Sequence, residues 1–222
     1  MRELARTTRR RIVLRAVSIG LATTPFGLTF GAIAAASGLS LAETIGFSSF
    51  VFTGSAQFAA VAILSEGGAI AAAVSTGLLL NLRSLAFGIL LAPDLRGPTW
   101  WRALVSQLVI DESTAVATVE ETSTARRFGF LAGGVSVFVL WNLSTILGAV
   151  LVSSAGDVIV RYGLDATIPA AFLGLLWPRL SEQLQRRVAL AGAVIAVALT
   201  PFTPPGVAVV AAIVAVLVGR PR

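Results

Sequence analysis

Long apolar runs, separated by only short polar segments, are the feature of this 222-residue chain that most restricts its fold. A helix needs about 20 apolar residues to cross a hydrocarbon core of about 30 Å, and several runs reach that length. Only 13% of the residues are charged, and no stretch is left for a separate soluble domain. The sequence therefore predicts an all-α, polytopic membrane helix bundle with residues 1–222 in a single domain. The clear apolar runs are residues 15–37, 41–65, 68–92, 128–153, 166–178, 188–201 and 205–219.

The first 14 residues are basic and precede the first apolar run. A basic region followed by an apolar stretch also occurs in cleaved signal peptides, but the apolar stretch here exceeds the usual length of about 7 to 15 residues. We therefore interpret residues 1–14 as a cytoplasmic segment and the following run as the first membrane helix.

A weaker eighth segment, residues 100–120, carries two adjacent acids. The Arg residues decide whether it crosses, because cytoplasmic segments are enriched in them. If it crosses and the N terminus is cytoplasmic, thirteen Arg lie inside and only Arg96, Arg102 and Arg161 lie outside. If it does not cross, the count becomes seven inside against nine outside. We therefore predict about eight membrane segments in the cell membrane, some of them short or broken, with both termini cytoplasmic.

The composition also excludes several kinds of functional site. All 17 basic residues are Arg and most flank apolar runs, so the net charge of +6 reflects membrane topology and not a nucleic-acid surface. The chain has no Cys and no His, which excludes disulfides, imidazole metal sites and a histidine proton relay. Asp111 and Glu112 diverge by about 100° on a helix, so they cannot form a catalytic carboxylate dyad unaided. We expect no enzyme activity, no metal and no cofactor.

Polar and helix-breaking residues from five segments fall at one depth when each residue is given a helical rise of 1.5 Å. Single polar residues inside membrane helices are common, but their convergence on one level is typical of a functional site at the bilayer midplane. The residues that share this level are Pro25, Gly27, Gly54, Ser55, Gln57, Asn81, Arg83, Asp111, Glu112 and Asn142.

Arg83 and Asp111 lie roughly 14 and 16 Å below the outer ends of their segments, so their depths permit an ion pair. An unpaired charge near the bilayer centre costs at least about 2.5 kcal/mol, and a paired or functional location is therefore expected. The stretch FTGSAQF, residues 52–58, interrupts an apolar run at the same depth. Gly54 and Ser55 supply the flexibility and the local hydrogen bonding that a helix break requires. We predict a break at Gly54, which would present backbone N–H and carbonyl groups to a ligand.

Structural interpretations stay open for the same residues. Arg83 and Asp111 can form a purely structural ion pair, and Glu112 can face the cytoplasmic half of a water cavity. Amide side chains in membrane bundles commonly hydrogen-bond between helices. That alternative applies to Gln57, Asn81 and Asn142.

Two glycine pairs have the spacing typical of close helix packing, which is the role we predict for them. They are Gly27 with Gly31 and Gly129 with Gly133. Pro25 can kink the first helix, because proline lacks an N–H and clashes with the preceding turn. The stretches GLSLAETIGF from Gly38 and GLDATIPAAF from Gly163 each open an apolar run, a weak indication of an internal duplication.

Five stretches carry motifs of one known family: PFGLTFGAIAAASGLS from Pro25, VFTGSAQFAAVAIL from Val51, LLLNLRSLAFGILLAP from Leu78, DES from Asp111 and GLDATIPAAFLGLL from Gly163. Together they resemble the azaleucine-resistance (AzlC-type) family of branched-chain amino acid exporters. The resemblance covers most of residues 20–180 in family order, and the motifs are specific as a set. One departure is Ser84, where the family usually carries His after the Asn-Leu-Arg run.

The resemblance implies a secondary transporter that exports Leu, Ile, Val and similar apolar amino acids such as Met, driven by the proton gradient. It also implies a small AzlD-type membrane subunit of about a hundred residues. Ser84 puts the coupling and the substrate preference in question more than the fold.

A mechanistic hypothesis follows from the shared depth. The substrate carboxylate would meet Arg83 or the backbone N–H groups near Gly54 and Ser55, and its ammonium would meet Asp111. Protonation of Asp111 or Glu112 would release Arg83 and reset the carrier. Further predicted substrate contacts are Pro25, Phe26, Phe30, Phe52, Gln57, Phe58 and Asn81. The alternative is a channel-like or structural subunit of a membrane complex, in which the polar level lines a pore or joins helices.

Overall fold

The computed structural model describes residues 4–155, 173–174, 176–203 and 207–219, and over these ranges the chain contains helices and no strand. Four described helical stretches are long and apolar enough to cross a membrane, namely Arg6–Ala36, Ile70–Leu91, Ser123–Val152 and Gln183–Phe202. The predicted all-α, polytopic membrane fold is confirmed. The α-helices are α1 (Arg6–Ala36), α2 (Leu41–Phe50), α3 (Gly54–Ser65), α4 (Ile70–Leu91), α5 (Thr99–Ser106), α6 (Asp111–Thr118), α7 (Ser123–Ala155), α8 (Gln183–Leu199) and α9 (Val207–Ala211), with 3-10 turns at Trp177–Ser181, Thr200–Phe202 and Ala212–Gly219.

Some sequence predictions fall on parts of the chain that the structure does not describe. These are most of the membrane segment 166–178, the residues Arg161, Arg220 and Arg222, and the stretch 163–172 that was compared with GLSLAETIGF.

The chain divides into two compact units. The first comprises Met1–Gly54 and Asn81–Ala155, and the second comprises Ser55–Leu80 and Gly156–Arg222. In the second unit, α3 packs on the first half of α4, where a Cβ built on Gly77 would lie 3.7 Å from the Ala56 Cβ. Within the same unit, α8 packs on the 3-10 turn Ala212–Gly219. A Cβ built on Gly192 would lie 3.6 Å from the Ala215 Cβ. The first unit contains the residues that the sequence grouped at one depth, apart from Ser55 and Gln57.

Helices α1 and α7 form the parallel pair at the centre of the first unit. A Cβ built on Gly20 would lie 2.6 Å from the Ser136 hydroxyl, and one on Gly31 would lie 1.9 Å from the Thr145 carbonyl oxygen. The contacts advance in the same direction along both helices, so the two helices run parallel. Gly27 meets α7 between these points, where an added Cβ would lie 2.2 Å from the Ser144 hydroxyl. These distances leave no room for a side chain, which is how small residues let membrane helices approach.

Helix α1 continues through Pro25 without a break. Proline cannot donate to the carbonyl four residues earlier, which belongs to Leu21. The Thr24 hydroxyl donates to that carbonyl instead, at 2.7 Å. The freed backbone acceptor is therefore satisfied locally, as is usual for prolines in membrane helices.

The stretch 100–120 does not cross as predicted, because α5 and α6 form a hairpin against the first half of α7. Helix α5 runs parallel to α7. The Arg127 guanidinium lies 5.9 Å from the Trp101 ring centre, and a Cβ built on Gly134 would lie 2.7 Å from the Leu108 Cβ. Helix α6 returns antiparallel, since its residues Ser113 and Val116 meet Gly133 and Gly129 respectively.

Contacts at the open end of this hairpin confirm that both of its ends lie at the start of α7. The Glu120 carbonyl, just after α6, accepts the Arg126 Nε–H at 2.8 Å. Asp94, just after α4, lies 3.9 Å from the same guanidinium. The prediction that Arg96 and Arg102 lie opposite Arg126 is therefore wrong. Hydropathy and Arg counts treat each segment as a full crossing, and they do not detect a segment that enters and leaves on one side.

Candidate functional site

The first helix break lies between α2 and α3, as predicted. Helix α2 begins with a capping box, in which the Ser40 hydroxyl accepts the Glu43 N–H and the Glu43 carboxylate accepts the Ser40 N–H. It ends at Phe50, three non-helical residues follow, and α3 begins at Gly54. A Cβ built on Gly54 would lie 2.8 Å from the Trp141 ring. A side chain at this position would therefore force the Trp141 ring to move.

The second break, residues 107–110, forms the tip of the α5–α6 hairpin. The Ser113 hydroxyl donates to the Leu108 carbonyl at 2.6 Å and accepts the Ile110 N–H at 3.2 Å. The Thr114 hydroxyl donates to the Ile110 carbonyl at 2.7 Å. The Ser113 hydroxyl thus satisfies an N–H and a carbonyl at the interruption of the helix, and the Thr114 hydroxyl adds a second donor to a carbonyl that already accepts the Thr114 N–H.

A single side chain joins the two breaks. The Gln107 amide nitrogen, at the second break, donates to the main-chain carbonyls of Ser49 and Phe50 at 2.8 and 3.1 Å. Both carbonyls belong to the last turn of α2, where helical acceptors have no partner within the helix. The ends of α2 and α5 are therefore fixed to each other near the middle of α7, where Phe52 packs edge-on against Phe138 with ring centres 5.0 Å apart.

The predicted ion pair between Arg83 and Asp111 is present, and it lies at the second break. Arg83 extends from the middle of α4, and Asp111 is the first residue of α6. The side chains are 40% and 36% exposed, so they border space that the described chain does not fill. An ion pair in the membrane interior that keeps one side open is an arrangement that a charged ligand can reach. Glu112 follows on α6 and is half-buried.

The remaining polar residues that were predicted to share one depth differ in their hydrogen-bond partners and burial. Asn142 accepts from the Ser49 hydroxyl at 3.0 Å and donates to the Phe138 carbonyl at 2.9 Å, so it joins α7 to α2. The interhelical interpretation of Asn142 is thereby confirmed. Asn81 has a buried side-chain oxygen with no hydrogen-bond partner among the described residues. Gln57 is fully buried in the second unit, and Ser55 is half-buried there.

The predicted apolar contacts are mostly buried. Phe30 on α1 is fully buried and packs edge-on against Phe47, with ring centres 6.0 Å apart. Phe52 is 6% exposed, and Phe58 in the second unit is 1% exposed. Only Phe26 is half-buried, one residue after the exposed Pro25. Of the predicted apolar contacts, Phe26 alone leaves part of its ring open.

Sequence reasoning missed Gln107, Ser49 and Trp141, because a side chain that meets a distant backbone leaves no sequence motif. It also missed Glu120, which is 3% exposed at the start of α7. Its carboxylate accepts from Arg11 at 2.6 Å and from Arg15 at 3.1 Å. Glu120 thereby fixes the open end of the α5–α6 hairpin to α1.

No group of three or more acidic side chains that could bind a metal occurs within the described ranges. Long apolar helices and interrupted helices with an ion pair between them define a polytopic helical membrane protein with a polar site among its helices. A family model described as AzlC protein matches residues 18–154, more than half of the chain. The chain belongs to the AzlC family, a family of membrane transport proteins associated with branched-chain amino acids.

Two relatives are similar over most of their length. The inner membrane protein YgaZ of Escherichia coli K12 is 29% identical over 203 residues, which is 86% of this chain and 80% of the relative. An uncharacterized membrane protein of Archaeoglobus fulgidus is 27% identical over 207 residues, which is 93% of this chain and 91% of the relative. No solved structure matches the chain.

Proposed function

We propose that this chain is the large subunit of a secondary transporter that exports Leu, Ile, Val and similar apolar amino acids, including Met, across the cell membrane. Membership of the AzlC family supports the transport role. The observation that carries the proposal further is the open Arg83–Asp111 ion pair beside two helix breaks. A zwitterionic amino acid carries one positive and one negative charge, as this pair does. Arg83 can therefore exchange Asp111 for the substrate carboxylate, and Asp111 can exchange Arg83 for the substrate ammonium.

Substrate binding would replace one ion pair with two. The substrate carboxylate would accept from the Arg83 guanidinium, whose planar fork suits a carboxylate. The substrate ammonium would donate to the Asp111 carboxylate and to the Asn81 oxygen. The apolar side chain of the substrate would contact Phe26, which is half-buried. A membrane interior favours this exchange, because every charge keeps a partner throughout.

Proton coupling would use Asp111 or Glu112, since the chain contains no His. Protonation of Asp111 removes its negative charge, and the ammonium of the substrate then loses its partner and leaves. Deprotonation restores the ion pair with Arg83 and returns the empty carrier to its starting state. Ser84 stands where the family usually has His, and it has no part in this scheme.

The small AzlD-type membrane subunit remains part of the proposal. Helix α4 exposes a row of large apolar side chains that includes Leu78, Leu82 and Leu85, at 66%, 57% and 65%. A helix with such a face needs lipid or another membrane helix against it. With both termini cytoplasmic, the Arg-rich N-terminal segment would lie on the cytoplasmic face.

Counterflow of labelled leucine in proteoliposomes tests the proposal, with the chain reconstituted alone and with its small subunit. We expect saturable counterflow that Ile, Val and Met inhibit and that Glu and Lys do not. We also expect an imposed proton gradient to change the rate. Flux that does not saturate, or that ignores the gradient, would favour the channel-like alternative. No flux with any amino acid, despite stable assembly with the small subunit, would favour a structural subunit.

A further inference from the structure

A sequence repeat relates α1 to α4. Residues 16–35 read AVSIGLATTPFGLTFGAIAA, and residues 73–92 read AVSTGLLLNLRSLAFGILLA. Aligned without a gap, the two stretches share Ala, Val, Ser, Gly, Leu, Leu, Phe, Gly and Ala, nine of 20 positions. The offset between them is 57 residues. This repeat is different from the pair of stretches at Gly38 and Gly163.

The same offset relates the helix breaks that follow. Helix α3 begins at Gly54 and α6 begins at Asp111, again 57 residues apart. Their preceding helices begin at Leu41 and Thr99, one residue from the same offset. Each copy therefore consists of one long helix, a short helix, a break and a second short helix. A shared offset in sequence and in breaks is the pattern of a duplicated unit.

The two copies run in opposite directions relative to α7. The N-terminal end of α1 lies at the start of α7, where the Arg9 guanidinium is 5.3 Å from the Phe128 ring centre. For α4 it is the C-terminal end that lies there, since Asp94 is 3.9 Å from Arg126. Helix α1 therefore leads away from this end of α7, whereas α4 leads toward it.

The directions of the helices also fix the path of α2 and α3. Because α1 and α7 are parallel and begin at one face, the chain between them must cross the membrane an odd number of times. Helix α4, 22 residues long, supplies one crossing, and the α5–α6 hairpin supplies none. Helices α2 and α3 have 10 and 12 residues, too few for two crossings of about 20 residues each. They must therefore leave on the face at which they enter.

We infer that α1–α3 and α4–α6 are inverted repeats, whose broken hairpins enter the membrane from opposite faces and whose breaks are joined by Gln107. This arrangement places Arg96 and Arg102 on the face of the N-terminal segment. Within the described part of the chain, the Arg distribution then becomes more one-sided than in the predicted eight crossings.

The arrangement also gives the site a broken hairpin that can separate it from one face, a point that rests on the proposed function. Inverted repeats in transporters place the substrate site where the two copies meet, and movement of one copy against the other exposes it to alternate faces. Here the hairpin α5–α6, which carries Asp111 at its break, would close the site toward the N-terminal face.

Single-cysteine labelling tests the inverted repeat, and the natural absence of Cys makes every introduced thiol unique. The test variants are Glu66→Cys, after α3, and Arg96→Cys, after α4, both exposed positions. The reference variants are Ala36→Cys, at the end of α1, and Thr124→Cys, at the start of α7. Intact cells are treated with a membrane-impermeant maleimide, and permeabilised cells show the total reactive thiol.

We expect Glu66→Cys to react from the same face as Ala36→Cys, and Arg96→Cys from the same face as Thr124→Cys. The eight-crossing arrangement gives the reverse assignment for both test variants. Either test thiol reacting from the reverse face would overturn the inverted repeat. Ser65→Cys and Arg102→Cys repeat the test if a first variant is not produced. Labelling requires no transport, so its failure leaves the leucine counterflow test unaffected.

Discussion

The side-chain amide of Gln107 donates to the main-chain carbonyl of Ser49 at 2.8 Å, and this contact fixes the break of one helix pair to the break of another. The same nitrogen also reaches the Phe50 carbonyl. Two segments that are 57 residues apart in sequence thus share one junction near the middle of α7. A site with parts on both segments depends on this junction for its geometry.

Replacing Gln107 with Leu should destabilise the first unit by about 1 to 3 kcal/mol, because two carbonyls in the membrane interior lose their donor. Thermal unfolding of the purified protein in detergent measures the change. Gln183→Leu is the matched control, since Gln183, exposed like Gln107, lies at the start of α8 and away from this junction. Equal melting temperatures for the two variants would show that the junction contributes nothing.

The contact between α1 and α7 should tolerate no side chain at Gly31. Gly31→Ala places a Cβ 1.9 Å from the Thr145 carbonyl oxygen, so the helices must separate at a cost of about 1 to 3 kcal/mol. The comparison is Gly46→Ala on α2, where nothing lies within 4 Å of the added carbon. We expect Gly31→Ala to lower the yield and melting temperature of folded protein and Gly46→Ala to leave both unchanged. A normal melting temperature for Gly31→Ala would contradict the close packing.

Glu120→Gln should loosen the open end of the α5–α6 hairpin. The substitution removes the charge that holds Arg11 and Arg15, but both arginines are partly exposed and regain water. We therefore expect a loss of only about 1 to 2 kcal/mol, seen as a lower melting temperature. Glu121→Gln changes the neighbouring exposed acid and serves as the control. An effect of Glu121→Gln as large as that of Glu120→Gln would mean that net charge, and not this contact, is responsible.

The helix break before Gly54 and the pairing of Arg83 with Asp111 could both be predicted from the sequence. Each depends on the large free-energy cost of placing polar residues or a charge inside hydrocarbon. The residues that carry this cost can be identified from composition and depth alone. The same reasoning placed Asn142 correctly among interhelical contacts as one of two alternatives.

The hairpin path of α5 and α6 could not be predicted in the same way. Arg counts show only on which membrane face a segment lies. When two re-entrant hairpins stand in place of two full crossings, every later segment lies on the same face as before, so its Arg residues do not distinguish the two arrangements. The arithmetic therefore favoured eight crossings and misplaced Arg96 and Arg102. Gln107 and Glu120 were missed because their partners are far away in sequence and are brought near only by the packing of α5 and α6 on α7.

Leucine counterflow by charge variants of Arg83 and Asp111 tests whether this ion pair binds the transported amino acid. The variants are Arg83→Gln, Asp111→Asn and the exchanged pair Arg83→Asp with Asp111→Arg. Arg102→Gln, at an exposed position after the start of α5, is the control. A purely structural pair would be restored by the exchange, whereas a substrate site needs each charge in its own place.

We expect both single variants to lose at least about tenfold in counterflow, equivalent to about 1.4 kcal/mol. We expect the exchanged pair to recover folded yield but not counterflow, and Arg102→Gln to remain active. Normal counterflow in either well-folded single variant, or its recovery in the exchanged pair, would contradict the account.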